Sequence, residues 1–165
     1  MHLLFGIPLI LITAILQTTI ISRLTFENGT ANLLLIIIIA WGLHERSKGS
    51  WVLTIISSLL LTLSSNLPVG TYIISFLAVN LIVRYLNAKV WKAPFLVLIV
   101  LMIIGTLIEH TITYVALVVI GQVNPIGMIL SRVTIPSVIL NLIWAFPIYI
   151  FLTYVLNRLF PSPEL

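Results

Sequence analysis

The chain has 165 residues, 61% hydrophobic and only 7% charged, with eight Lys and Arg against four Asp and Glu and a formal net charge of +4. Ordinary soluble domains run at roughly 45–50% apolar and about 25% charged, so lipid has to be the solvent for most of this surface, and a sizeable soluble domain is excluded. The lack of cysteine removes disulfides, thiol nucleophiles and cysteine-based metal or iron–sulfur centres, and the basic balance reads as the orientation charge of a membrane chain rather than as a nucleic-acid surface.

A bilayer core of about 30 Å takes roughly 20 apolar residues per helix. The expectation is a single integral-membrane domain over residues 1–165, all-α, a polytopic bundle of six transmembrane helices. The first span is 3–21. Met1-His2-Leu3-Leu4-Phe5 lacks the basic start of a cleaved signal peptide, and the apolar run continues past any cleavage point, so it reads as a retained helix. A polar segment follows, with Arg23, Glu27 and the turn pair Asn28-Gly29. The second span, 31–43, is short for a crossing. A charged loop, His44 to Ser50, leads to the third span, 51–65, and the uncharged turn Leu67-Pro68-Val69-Gly70 leads to the fourth, 71–86. After Arg84, Lys89 and Lys92 comes the long fifth span, 95–120. Residues 126–135, with Ser131 and Arg132, are expected along the interface. The sixth span, 136–156, carries Pro147 and is expected to bend there. Strands are not expected, because runs such as Leu33 to Ile39 are continuously apolar rather than alternating.

Loop charge sets the orientation. One side holds both termini and Arg46, Lys48, Arg84, Lys89, Lys92 and Arg158. The other holds Arg23 and Arg132. The bias places the N and C termini in the cytoplasm.

Few groups inside the spans carry chemistry. Glu109 and His110 lie in mid-span, with Thr106 and Thr113 at helical spacing around them. A carboxylate at that depth costs several kcal/mol unless it is paired or meets water. Two readings stay open: a proton relay or substrate contact, or a cluster hydrogen-bonded inside the bundle. Adjacent residues diverge by about 100° on a helix, so Glu109 and His110 do not chelate one ion together. Thr13 and Gln17 share a face of the first span, and Asn141 sits between Pro136 and Pro147. Such groups commonly bridge helices. Pro68 and Gly70 serve either as a tight connection or as a recognition loop. There is no Gly-rich phosphate loop, HExxH, paired carboxylate or serine elbow. No enzyme, cofactor or metal site is expected.

Three segments carry a family resemblance. They are Leu16-Gln17-Thr18-Thr19 with Ala31-Asn32-Leu33-Leu34-Leu35, then Leu67-Pro68-Val69-Gly70-Thr71-Tyr72, and Ile135-Pro136-Ser137-Val138-Ile139-Leu140-Asn141-Leu142. On these the chain resembles the MreD family of bacterial rod-shape-determining membrane proteins. It departs from that family in having Ala31 before Asn32 and no aspartate in Leu61-Thr62-Leu63-Ser64. The resemblance implies a multi-pass protein of the bacterial cytoplasmic membrane, a non-enzymatic scaffold of the elongation machinery for peptidoglycan synthesis and cell shape. Its implied partners are a single-span MreC-type protein and, through it, the MreB cytoskeleton, a RodA-type glycosyltransferase and a class B transpeptidase. Its fold would be similar to that of the substrate-binding subunits of energy-coupling importers. Gln17, Asn32, Pro68, Gly70, Glu109, His110, Pro136 and Asn141 are then candidates for the bundle interior or the partner surface. The basic loops would face the inner leaflet or an acidic partner, or act as orientation signals alone. The alternatives are a substrate-binding subunit of an energy-coupling vitamin importer, for which Glu109, His110, Thr113 and Asn141 are the polar groups at hand, and a small channel or transporter.

Overall fold

The computed structural model describes residues 2–44, 49–87, 93–122 and 125–160. Helix α1 (His2–Thr19) ends in a 3-10 turn, Ile21–Arg23. A two-residue antiparallel ladder follows, β1 (Thr25–Phe26) against β2 (Gly29–Thr30). Then come α2 (Leu33–Leu43), α3 (Ser50–Ser64), α4 (Thr71–Asn87), α5 (Pro94–Val119), a single turn α6 (Ile126–Ile129), a π-helical turn (Leu130–Thr134) and α7 (Ile135–Leu159). The fold is all-α apart from the small hairpin.

Among the described residues, three helical stretches are long and apolar enough to cross a bilayer: His2–Arg23, Pro94–Val119 and Ile126–Leu159. Their outward faces are apolar, with Leu4, Ile12 and Ile15 on the first, Leu96, Val115 and Val119 on the second, and Ile143, Phe151 and Tyr154 on the third, all exposed. In water such faces would be aggregation surfaces. In lipid they are ordinary, and they mark the chain as an α-helical membrane protein.

The shorter helices pack among these. α2 lies against α1, α3, α4, α5 and α7, and all eleven of its residues are buried. The short second span expected from sequence is thus an interior helix. Its sequence is apolar on every side because protein surrounds it, and at about 1.5 Å per residue it is only about 16 Å long. Close approach is built in: a Cβ on Gly42 would come within 2.6 Å of Val83 Cγ1 on α4. Between helices in lipid, van der Waals packing of this kind replaces hydrophobic driving force.

Two expectations are corrected. Residues 126–135 do not form a separate interfacial segment, because one helical path of 34 residues runs from Ile126 through the π turn to Leu159. Pro147 lies inside α7, which is helical on both sides of it, as a bend there allows. The polar segment before α2 does contain strands, and its turn is Glu27-Asn28 (Glu27 at φ 53°) rather than Asn28-Gly29.

Several contacts bring the helix ends together at one end of the bundle. His2 stacks on Phe160 with ring centroids 3.8 Å apart. His44 Nε2 lies 3.2 Å from Asn157 Oδ1. Arg84 sits over the Trp51 ring at 5.4 Å. The hairpin and the start of α2 lie at the other end. Of the charged loop residues considered above, Arg46, Lys48, Lys89 and Lys92 fall outside the described residues.

Candidate functional site

A helix that begins inside a bundle leaves its first amide groups without water, and protein must satisfy them. Around the start of α2 this is done by Asn32 and by side chains from α1 and α7, while a side chain from α5 holds Asn32 in place. Asn32 is the N-cap, its Oδ1 accepting from the Leu35 amide at 3.1 Å. Its own backbone N–H donates to Asn141 Oδ1 on α7 at 2.7 Å. Its Nδ2 donates to Glu109 Oε1 on α5, also at 2.7 Å. Gln17 on α1 brackets the same segment, with Nε2 donating to the Ala31 carbonyl at 2.9 Å and Oε1 accepting from the Leu33 amide at 2.8 Å. Asn141 Nδ2 in turn donates to Thr106 Oγ1 at 2.8 Å, and that hydroxyl donates to the Met102 carbonyl.

The extended segment entering α2 is read from two sides. Ser137 and Asn141, one turn apart on α7, accept from the alternate amides of Thr30 (3.1 Å) and Asn32. Pro136 prepares the dock. Proline has no N–H, so the carbonyl four residues earlier has no helical donor, and the Arg132 carbonyl instead accepts from the Asn28 amide at 3.1 Å. Gly29 lies directly on this stretch. A Cβ there would meet Ser137 N at 2.6 Å, Pro136 Cβ at 2.7 Å and the Val133 carbonyl at 2.8 Å. The glycine is required for contact, and the turn is made by its neighbours.

Of the residues singled out from sequence, Gln17, Asn32, Glu109 and Asn141 therefore form one hub, with Pro136 beneath it. His110 diverges from Glu109, and its Nδ1 lies 3.0 Å from Thr134 Oγ1 on the π turn. Thr13 bonds back to the Leu9 carbonyl and takes no part. Pro68 and Gly70 lie apart, forming the turn into α4: the Pro68 carbonyl accepts from the Thr71 amide and hydroxyl, and Gly70 adopts φ 102°. Sequence reasoning missed Thr30, Ser137 and Thr134 as hub or neighbour contacts. The four-residue spacing of Ser137 and Asn141 was the available signal.

Beside the hub is a cavity of about 290 Å³. Thr30, Tyr72, Glu109, His110, Thr113 and Tyr114 contribute to its wall, and Leu117, Ile129 and Val133 complete it. All of these except Glu109 are half-buried, so the cavity reaches the surface of the bundle, with Glu109 at its buried side. Glu109 is 6% exposed. Its Oε1 is taken by Asn32, whereas its Oε2 is buried and has no hydrogen-bond partner among the described residues. Among those residues no group of three His, Cys, Asp or Glu gathers to hold a metal. Comparison with known proteins returned no match: no family model, no curated protein and no solved structure aligns with this chain.

Proposed function

We propose that the protein is a non-enzymatic scaffold of the bacterial cytoplasmic membrane, with six spans and both termini cytoplasmic, acting in the elongation machinery as MreD-type proteins do. In this reading it binds a single-span MreC-type protein and so connects RodA-type glycosyltransferase and class B transpeptidase to the cytoskeleton. The observation that carries the reading is the use made of its intramembrane amides. Gln17 and Asn141 both bond to the segment that holds Asn32 and fix a buried helix, which is architecture rather than the convergent set of free polar groups a transporter presents. Two of the segments that bear the family resemblance, around Gln17–Asn32 and Pro136–Asn141, meet at this hub, as expected of residues that set a shared fold.

Affinity purification in mild detergent tests the reading. The expected result is co-purification of a one-span coiled-coil protein together with cell-wall synthases. Recovery of an ATPase module without such enzymes would overturn it in favour of the importer subunit, which the cavity beside Glu109 favours. Reporter fusions at the two termini test the orientation, and both are expected to report cytoplasm.

A further inference from the structure

The cavity beside the hub carries polar groups that the bundle itself does not use. Thr30 on β2, Tyr72 on α4 and Thr113 on α5 each bring a hydroxyl-bearing side chain to its wall. None of the three hydroxyls has a hydrogen-bond partner among the described residues, and none is an enclosed atom, so each is open to a visiting molecule. Thr113 shows the contrast within one helix. Two turns earlier on α5, Thr106 turns its hydroxyl back to the Met102 carbonyl at 2.8 Å, whereas Thr113 makes no such bond. His110 adds a fourth group: its Nδ1 lies 3.0 Å from Thr134 Oγ1, and its Nε2 is left open on the same terms. Charge narrows what fits. No Lys or Arg lines the cavity. Glu109 offers a ligand nothing, since Oε1 is taken by Asn32 and Oε2 is enclosed. A charged ligand would therefore leave water for a wall with no Lys, Arg or accessible carboxylate to pair with it.

We propose that this cavity is a binding site for an uncharged molecule with a hydroxylated head, which exchanges hydrogen bonds with Thr30, Tyr72 and Thr113 while its apolar remainder rests against the walls. A hydroxyl both donates and accepts, so a ligand with more than one hydroxyl satisfies these groups without bringing charge. The rings of Tyr72 and Tyr114, with Leu117, Ile129 and Val133, suit methylenes. A few placed polar groups on a mostly apolar wall are the ordinary make-up of a ligand site, and here they come from three separate elements. The volume, about 290 Å³, is at the small end of ligand cavities, which run about 300–1,000 Å³, so the ligand is small or is the end of a larger molecule. Two sources share this chemistry: a free short-chain diol, and the glyceryl head of an uncharged lipid whose chain leaves through the open side. The inference is independent of the scaffold reading, because it concerns the purified protein without partners and the hub amides take no part in it.

The test is thermal unfolding of the full chain, followed by its tryptophan fluorescence. In detergent, vicinal hexanediol is titrated against hexanoate and n-hexylammonium, which keep the chain and charge the head. In nanodiscs of phosphatidylglycerol, added monoacylglycerol is compared with the matching free fatty acid. A saturable rise in Tm with hexanediol that neither charged analogue gives assigns a free-diol site. A rise with monoacylglycerol only assigns the lipid head. In either case Tyr72→Phe and Thr113→Val, which each remove one hydroxyl and keep the shape of the wall, are expected to weaken the effect about threefold to tenfold, the worth of one neutral hydrogen bond. Thr62→Val removes a hydroxyl on α3 that bonds the Ser58 carbonyl and lies off this wall, and it is expected to leave the effect unchanged. No saturable effect from either source, an equal effect from a charged analogue, an equal loss in Thr62→Val, or full retention in either folded cavity variant overturns the proposal. Should one cavity variant fail to fold, the other decides.

Discussion

Two buried regions of this bundle handle polar groups in opposite ways. At the start of α2, long side chains reach across: Gln17, Asn32, Glu109 and Asn141 join four helices through bonds of 2.7–2.9 Å. Along α3 and α4 most polar residues are short hydroxyls that bond back to their own helix, Ser57 and Asn80 excepted. Thr54 bonds the Ser50 carbonyl, Ser58 the Ile55 carbonyl, Thr62 the Ser58 carbonyl and Ser75 the Thr71 carbonyl, each on its own helix. Hydroxyls satisfied locally cost a helix little and let two backbones come close, but they tie nothing to anything else. One region is therefore cross-linked and the other is packed. Each contains a buried asparagine, and the two should respond to substitution with opposite sign.

Asn32→Ala is the sharpest way to break the comparison. It removes the cap on Leu35 and strands Glu109 Oε1, and the expected loss is about 3 kcal/mol, read as unfolding free energy in a mixed-micelle SDS titration. Gly29→Ala comes next. Its new methyl would press on α7 backbone atoms that cannot swing aside, so the hairpin lifts, at about 2 kcal/mol, and limited proteolysis should become faster between Leu24 and Thr30. Gln17→Leu removes the bracket on Ala31 and Leu33, with an expected loss of about 1 kcal/mol and faster hydrogen exchange confined to the first amides of α2. Asn80→Leu is smallest and goes the other way. Asn80 is fully buried on α4, with neither Nδ2 nor Oδ1 partnered among the described residues, so an apolar replacement of similar size should leave stability unchanged or raise it by under about 1 kcal/mol. A loss at Asn80 as large as that at Asn32 would erase the distinction between the two regions.

What could be read from the sequence follows the same division. Apolar run lengths point to membrane helices because bilayer thickness imposes them, and the helical class follows. The polar residues of the hub stand out one by one for the same reason: an amide or carboxylate in an apolar run has to be doing something. Their meeting does not show. Asn32 and Asn141 are 109 positions apart and Asn32 and Glu109 are 77, and no periodicity reports a contact at that separation. The enclosure of α2 by protein on every side does not show either, because periodicity identifies a buried face only where an exposed one contrasts with it, and Leu33–Leu43 has none. The hairpin was hidden by its brevity. The continuation of α7 back to Ile126 was hidden by Ser131 and Arg132, polar residues that are exposed on a helix that simply continues.

The separation of the hub's members also orders events during synthesis. Ribosomes add about 5–20 residues per second, so roughly 5–20 s pass between the emergence of Asn32 and that of Asn141. Throughout that interval the nascent chain holds an apolar rod preceded by the Thr30 and Asn32 amides, which have yet to meet their acceptors on α7. Release of the last helix from the insertion machinery is the moment at which the interior can close, and a transcript cut short before Ser137 would yield a polypeptide that enters the bilayer yet never locks.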